Sequence, residues 1–186
     1  MTKPVLKCFL LAGLVAASVA ANAQSNKWKF DYIGLDAGAY FPKSSLLKDR
    51  FGDTIFRVGL TPMMIKRQKD WVPSFEIGYI GARGHGDHMN VIPLTIGAQK
   101  SFGDPTQSTV PFVRAGAGLS YFDYDITRDD LTKAKGHKFG AVTSLEAGFQ
   151  SSNRFRASVR YYLFPTQSGV DFSGFLISAS FGVFKL

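Results

Sequence analysis

Three histidines are the side chains in this sequence with the widest choice of chemistry. His85 and His88 lie in the segment His85-Gly86-Asp87-His88, and His137 lies far along the chain. Imidazoles at this spacing could bind a metal ion, but no third ligand follows at a recognised spacing and no H-E-x-x-H motif is present. The motifs H-x-S and G-x-S-x-G are also absent. We therefore predict a solvated loop around His85, with no metal site, no catalytic residue, no cofactor and no enzymatic activity.

Seven charged residues are the other candidates for a functional site. They recur among glycines and serines on one face of segments in which apolar and polar residues alternate. Carboxylates held close together can perform general acid–base chemistry. Carboxylates paired with arginines can instead fill a protein interior with salt bridges. The set contains three acids and four bases: Asp36, Arg57, Glu76, Arg114, Glu146, Arg156 and Arg160.

Eight segments must position these residues, and each alternates between apolar and polar side chains. Such alternation is typical of β-strands with one apolar face. Each segment is about ten residues or longer, which is the length of a tilted strand that crosses a bilayer. The segments are Phe30–Phe41, Asp53–Met63, Val72–Gly81, Asn90–Lys100, Val110–Phe122, Phe139–Gln150, Arg154–Leu163 and Val170–Phe184.

The polar faces carry few charges and many small residues, which favours a crowded interior over a solvated exterior. The sequence therefore predicts an all-β fold, an eight-stranded antiparallel up-and-down transmembrane β-barrel, with the apolar faces toward lipid. An eight-stranded barrel is only just wide enough for its own side chains. We expect a plug of salt bridges between neighbouring strands, with a gated polar passage or a catalytic carboxylate pair as alternatives. The expected pairs are Arg57 with Asp36 or Glu76, and Glu146 with Arg114, Arg156 or Arg160.

Aromatic residues at the segment ends support a membrane setting, because amphipathic rings favour the headgroup level. With a periplasmic N-terminus, the outward links are residues 42–52, 82–89, 123–138 and 164–169, and the other links are 64–71, 101–109 and 151–153. One belt is expected at the periplasmic ends, from Trp28, Phe30, Trp71, Phe102, Phe149 and Phe181. The other is expected at the outer ends, from Tyr40, Phe41, Tyr79, Tyr121, Phe122, Tyr161 and Phe164.

Composition agrees with this fold class and excludes others. The 186 residues include 17 Phe, 7 Tyr, 2 Trp and 19 Gly, a balance typical of β proteins. A mean hydropathy of +0.00 excludes a bundle of membrane helices. The single Cys8 excludes an internal disulfide and a cysteine zinc site. The net charge is +8, but the basic residues are scattered, so no nucleic-acid partner is expected.

The first residues resemble an export signal. Lys3 and Lys7 precede the apolar stretch Phe9–Ala17, and Ala21-Asn22-Ala23 fits a cleavage site. We predict a signal peptide over 1–23 and a barrel domain over 24–186.

Six basic residues of the outward links are predicted to contact lipid phosphates of the outer leaflet, because cations are attracted to anionic membrane surfaces. Plain solvation is the alternative, since Asp49, Asp129 and Asp130 are interspersed. The six residues are Lys43, Lys48, Arg50, Lys133, Lys135 and Lys138.

Three stretches resemble the small outer-membrane β-barrels of the W-like and A-like type. They are IPLTIGAQKSFG (Ile92–Gly103), VPFVRAGAGLSYFDYD (Val110–Asp125) and FSGFLISASFGVF (Phe172–Phe184). The resemblance implies an outer-membrane location after signal cleavage, with the barrel-assembly machinery, membrane lipid and lipopolysaccharide as partners. It also implies a monomer with a role in uptake of hydrophobic compounds, anchoring, adhesion or defence. The family usually ends in a lipid-facing Phe, so the ending Phe184-Lys185-Leu186 predicts a late bulge or two residues beyond that signal.

From these observations we expect a structural barrel, or one that handles small hydrophobic molecules passively. Two alternatives remain at this point. One is an outer-membrane enzyme that modifies lipid A or phospholipid, and the other is a soluble, exported lipocalin-like barrel.

Overall fold

A computed structural model describes residues 31–63, 71–103, 107–151 and 154–185. The predicted signal peptide lies outside the described residues, as do Trp28 and Phe30 and parts of the links 64–71, 101–109 and 151–153. The elements are β1 (Tyr32–Pro42), α1 (Ser45–Phe51), β2 (Ile55–Met63), β3 (Val72–Gly84), β4 (Asp87–Ser101), β5 (Thr109–Thr127), β6 (Lys133–Ser151), β7 (Phe155–Leu163) and β8 (Gly174–Lys185).

The strands form a closed barrel in which each pairs antiparallel with its sequence neighbours and β1 pairs with β8. The predicted fold class, an eight-stranded antiparallel barrel, is confirmed. In the part of the chain that the structure describes, no helix has the length and hydrophobicity needed to cross a membrane.

The alternation of residue types decides which face of each strand points inward. On β7, Arg156 and Arg160 are buried, whereas Phe155 and Val159 are exposed on the outside. Because side chains alternate with a period of two, a slip of one residue would move every charge outward. The outward direction predicted for the apolar faces is confirmed in four strands. In each of them one large apolar residue of the predicted face is 49–54% exposed on the outer wall: Leu35, Leu94, Leu119 and Ile177.

The last strand contains the expected bulge. Ile33 pairs with Phe184 and Gly34 pairs with Gly182, so Val183 is an extra residue on β8. The bulge leaves Val183 and Phe184 both exposed on the outer wall. Because of the bulge, Phe184 lies on the apolar outer wall even though Lys185 follows it.

Two predicted loops were wrong, because β3 to β6 continue beyond the barrel rim. β5 and β6 remain paired from Thr109–Ser151 to Thr127–Lys133, and β3 and β4 pair up to Gly84 and Asp87. β6 pairs with β7 only over 143–150, so its upper part has a strand neighbour on one side only. The links 82–89 and 123–138 thus become strand extensions joined by short turns, and we call this four-stranded extension the rim sheet.

The inner face of the rim sheet packs over the barrel mouth. There Ile126 and Ala134 are buried together with Leu47 of α1, and with Val170 and Phe172 from the segment between β7 and β8. Phe122 contacts Phe164 and Phe172, with ring centroids 5.5 and 5.2 Å apart. This apolar cluster, which we call the mouth cap, closes the upper end of the lumen.

The mouth cap corrects the predicted outer aromatic belt and the predicted last strand. Tyr40, Phe122 and Phe164 lie inside the cap instead of facing outward. β8 begins at Gly174 rather than Val170, because Val170 turns back to bridge Gln167. The mouth cap buries the apolar side chains of these segments, whereas the sequence pattern alone assigned those side chains to the membrane.

α1 is short and is fixed by its neighbours. Leu47 and Phe51 lie one turn apart and face the cap, which is the usual spacing for one helix face. Arg50 Nε lies 3.8 Å from Asp87 Oδ2 at the start of β4. Gly52 ends the helix with a φ of 87°, a backbone conformation that favours glycine.

Candidate functional site

The lumen below the mouth cap holds a network of buried ion pairs centred on Glu76. This carboxylate accepts hydrogen bonds from Arg57, Arg160 and the Tyr162 hydroxyl, and from Arg114 Nη1 at 2.7 Å. These donors come from three different strands, so a single side chain of β3 ties β2, β5 and β7 together.

Glu146 and Asp36 extend the network around the barrel. Glu146 lies 2.7 Å from Arg156 and 3.0 Å from Arg160, and its Oε2 is 3.5 Å from Arg114. Asp36 pairs with Arg57 and lies 3.5 Å from Arg160 Nη2. All seven residues predicted for the lumen are buried and joined in one network.

Some contacts in the network were not expected from the sequence. The pairs between neighbouring strands are present, but Glu76–Arg114, Glu76–Arg160 and Asp36–Arg160 join strands that are not neighbours. Tyr162, Thr95 and Gln99 also contact the arginines. All three lie on the predicted polar faces of their strands. That placement is the only signal in the sequence that could have identified them as part of the network.

The network closes the lumen between two apolar layers. The mouth cap lies above it, and Met63 and Phe112 lie buried on the opposite side. The Arg156 guanidinium stacks over the Phe112 ring at 3.8 Å, which is a cation–π distance. The described part of the lumen is therefore filled by side chains, and each of the three carboxylates already faces at least one guanidinium.

Two glycines leave the space that the Arg57 guanidinium occupies. A Cβ atom would lie 2.6 Å from Arg57 Nη2 if added at Gly59 and 2.8 Å if added at Gly78, both too close for a real contact. Arg57 cannot simply move aside, because Asp36 and Glu76 hold its two ends.

The substitution Gly78→Ala is therefore expected to destabilise the folded barrel by roughly 1–3 kcal/mol, the usual cost of overpacking. Urea unfolding of the refolded protein measures the loss. The matched control is Gly116→Ala, where the added Cβ would meet the Ser144 hydroxyl at 3.1 Å. Equal losses at the two positions would show that Gly78 is not needed to seat Arg57.

A second polar cluster lies on the outer wall of the rim sheet, around Asp123. Asn90 Nδ2 donates to Asp123 at 3.0 Å, His137 Nδ1 lies 3.0 Å from it, and His88 Nε2 lies 3.5 Å from it. The hydrogen bond from Asn90 lowers the pKa of Asp123, with a smaller contribution from His88. Within the described ranges, no three His, Cys, Asp or Glu residues are arranged to hold a metal ion.

The six basic residues predicted to contact lipid phosphate lie in two places, on the outer wall of the rim sheet and around the mouth of the barrel. Lys133 and Lys135 lie on the outer wall and pair with Asp125 at 3.4 and 2.6 Å. Lys138 Nζ contacts Ser168 Oγ at 3.0 Å, at the mouth. The other three surround the mouth: Lys43 lies 3.9 Å from Asp171, Arg50 contacts Asp87 and the Arg128 carbonyl, and Lys48 is exposed on α1.

The outer wall also has an apolar groove of about 400 Å³ on β5 to β8. Ala115 and Ala147 are small, and the larger Leu145 and Val159 stand beside them. Tyr161 and Phe175 border the groove, with ring centroids 4.7 Å apart. The further lining residues include Trp71 and Val113.

Comparison with known proteins identifies the fold. No protein-family model matches the sequence, and no curated protein matches it. The structure is similar to the crystal structure of the outer membrane enzyme PagL, with a TM-score of 0.55 and 13% identity, over 81% of this chain and 99% of that one. It is also similar to Neisserial surface protein A (NspA), with a TM-score of 0.51 and 13% identity, over 83% and 98% of the two chains.

The chain has the fold of small outer-membrane β-barrels. At 13% identity these likenesses show the fold alone.

Proposed function

We propose that this chain is an outer-membrane barrel that does not conduct ions and acts structurally, with its contacts to other molecules on its outer wall and rim. The observation that carries the proposal is the buried network of Asp36, Glu76 and Glu146 with four arginines, which lies inside a barrel whose exterior is apolar. Apolar residues outside and charges inside are the reverse of a soluble lipocalin-like barrel, so the arrangement supports insertion in a bilayer.

The remaining parts of the proposal follow from a location in the outer membrane. We propose that the signal peptide 1–23 is cleaved during export, that the barrel-assembly machinery inserts the chain, and that it remains a monomer of the W-like or A-like type. Lipid and lipopolysaccharide are the proposed partners. We assign the chain no enzymatic activity. Small hydrophobic molecules would contact it from the membrane side, at the groove around Ala115 and Ala147, and not through the lumen.

Planar-bilayer recording tests the closed lumen. We expect no steady conductance from the purified protein, because the network and the mouth cap leave no water path through the described part of the barrel. Membrane fractionation and a heat-modifiability gel on the same preparation check that the protein is membrane-inserted and folded. A stable open channel that carries hydrated ions would contradict the proposal and favour a pore.

A further inference from the structure

The outer wall of the rim sheet has a sharp chemical boundary. On β3 to β6 the outward side chains are apolar or aromatic up to one level and polar above it. Asn90, Asp123 and His137 lie side by side in the register just above that level. The residues just below it are Tyr79, Ile92, Tyr121 and Phe139. In a barrel inserted in a membrane, a site immediately above this boundary faces lipid headgroups.

A hollow of about 560 Å³ opens at this level, beside the turn between β3 and β4. The charged and polar residues that line it are Arg83, His85, Asp87, His88, Asn90 and Asp123. The hollow is much larger than a bare phosphate needs and has the usual volume of a small-ligand site.

Arg83 is the arginine that lines this hollow. It is exposed and has no ion pair within residues 31–63, 71–103, 107–151 and 154–185, whereas Lys133 and Lys135 share Asp125. A free guanidinium binds phosphate oxygens with two parallel hydrogen bonds, which an ammonium group cannot do.

Hydrogen bonds hold the polar lining around Asn90 and Asp123 in place. The Tyr79 hydroxyl donates to Asn90 Oδ1 at 2.7 Å, and Asn90 in turn donates to Asp123 at 3.0 Å. Asp123 also lies beside His88 and His137, so its charge faces two imidazoles. Amide, carboxylate and imidazole groups can exchange hydrogen bonds with the hydroxyl groups of a sugar.

We propose that this hollow binds the phosphorylated sugar headgroup of an outer-leaflet lipid. Arg83 holds the phosphate, His88 contacts the same group, and Asn90 with Asp123 binds sugar hydroxyls. The inference rests on the proposed membrane location, and it places the main lipid-phosphate contact at Arg83 instead of spreading it over the six basic residues of the links.

The test is binding of lipopolysaccharide to the full folded chain in detergent micelles, compared between Arg83→Gln and Arg154→Gln. Arg154 is the matched control, because it is an exposed arginine at the opposite end of the barrel and its substitution removes the same guanidinium group. We expect Arg83→Gln to raise the dissociation constant about tenfold, as for loss of a charge-assisted hydrogen bond. Arg154→Gln should change it less than about twofold.

Competition separates the sources of phosphate. Inorganic phosphate and a short-chain phosphatidylglycerol should displace lipopolysaccharide poorly, since neither carries the sugar. Equal loss in the two variants, no loss in either, or efficient displacement by phosphatidylglycerol would overturn the proposal.

A separate measurement distinguishes this failure from failure of the proposed function. If the chain stays folded in buffer without detergent, the membrane location is wrong whatever the binding result. If it needs detergent and Arg83→Gln binds like the parent, only the headgroup site is wrong.

Discussion

Replacement of Glu76 by Gln is expected to destabilise the barrel by about 3–5 kcal/mol, the usual cost of removing one member of a buried ion pair. Glu76 accepts from Arg57, Arg114, Arg160 and Tyr162, so its loss leaves three buried guanidinium groups with fewer anionic partners. The remaining network would contain four arginines and two carboxylates. Urea unfolding of the protein refolded in lipid vesicles measures the change in free energy.

Two further variants keep this experiment decisive. Asp125→Asn removes the charge of a partly exposed carboxylate on the outer wall that pairs with Lys133 and Lys135, and it should alter stability little. If Glu76→Gln fails to fold, the double variant Glu76→Gln with Arg114→Met removes a charge of each sign and should recover folding in part. A loss at Glu76 no larger than the loss at Asp125 would contradict a stabilising network.

Replacement of Leu145 by Arg should cost about 2–4 kcal/mol, the value for a cation on the lipid face at the bilayer midplane. Leu145 is 67% exposed on the outer wall, and on β6 it lies between the outward aromatic residues Phe139 and Phe149. Leu119→Arg lies closer to the polar boundary at Asp123 and should cost less, because the penalty falls with distance from the midplane. The same urea experiment in vesicles measures both.

The matched control is Leu131→Arg, the same substitution at the turn between β5 and β6. Leu131 is 81% exposed and lies above the polar outer wall of the rim sheet. It should tolerate arginine without measurable loss. Equal losses at Leu145, Leu119 and Leu131 would show that the apolar face is not in contact with lipid.

Much of this fold can be predicted from the sequence, because strand alternation is a local property. The order Arg156, Ser158, Arg160 on one face of β7 is enough to predict an inward polar face and to place arginines beside Glu146 of β6. Pairs between neighbouring strands need only the register of one hairpin. The pattern of the two strands is therefore sufficient to predict them.

Contacts across the lumen could not be predicted in the same way. Glu76 meets Arg160 only because the sheet curls and closes, and the meeting point depends on the stagger of all the strands between β3 and β7. No pattern within either strand contains that information.

The rim sheet was missed for a different reason. Along β5 the alternation continues without interruption past Phe122, but the chemistry of the faces is exchanged: Tyr124 and Ile126 point inward, and Asp123 and Asp125 point outward. A prediction that assigns apolar residues to the lipid side must end the strand where this exchange begins. The inward direction of these apolar residues is explained only by the mouth cap that covers them.

The pairing of Asp36 with Arg160 has a consequence for the order of assembly. The two residues come from the first and seventh strands, and the Asp36–Arg160 contact requires β1 to pair with β8. Contacts between residues so distant in sequence form late, since a long loop must close before they are made. Until that moment an open sheet would leave Asp36 with Arg57 alone and Arg160 with Glu146 alone, in a medium that penalises incompletely paired charges. The contacts across the lumen therefore add their stabilisation only when the last strand closes the barrel.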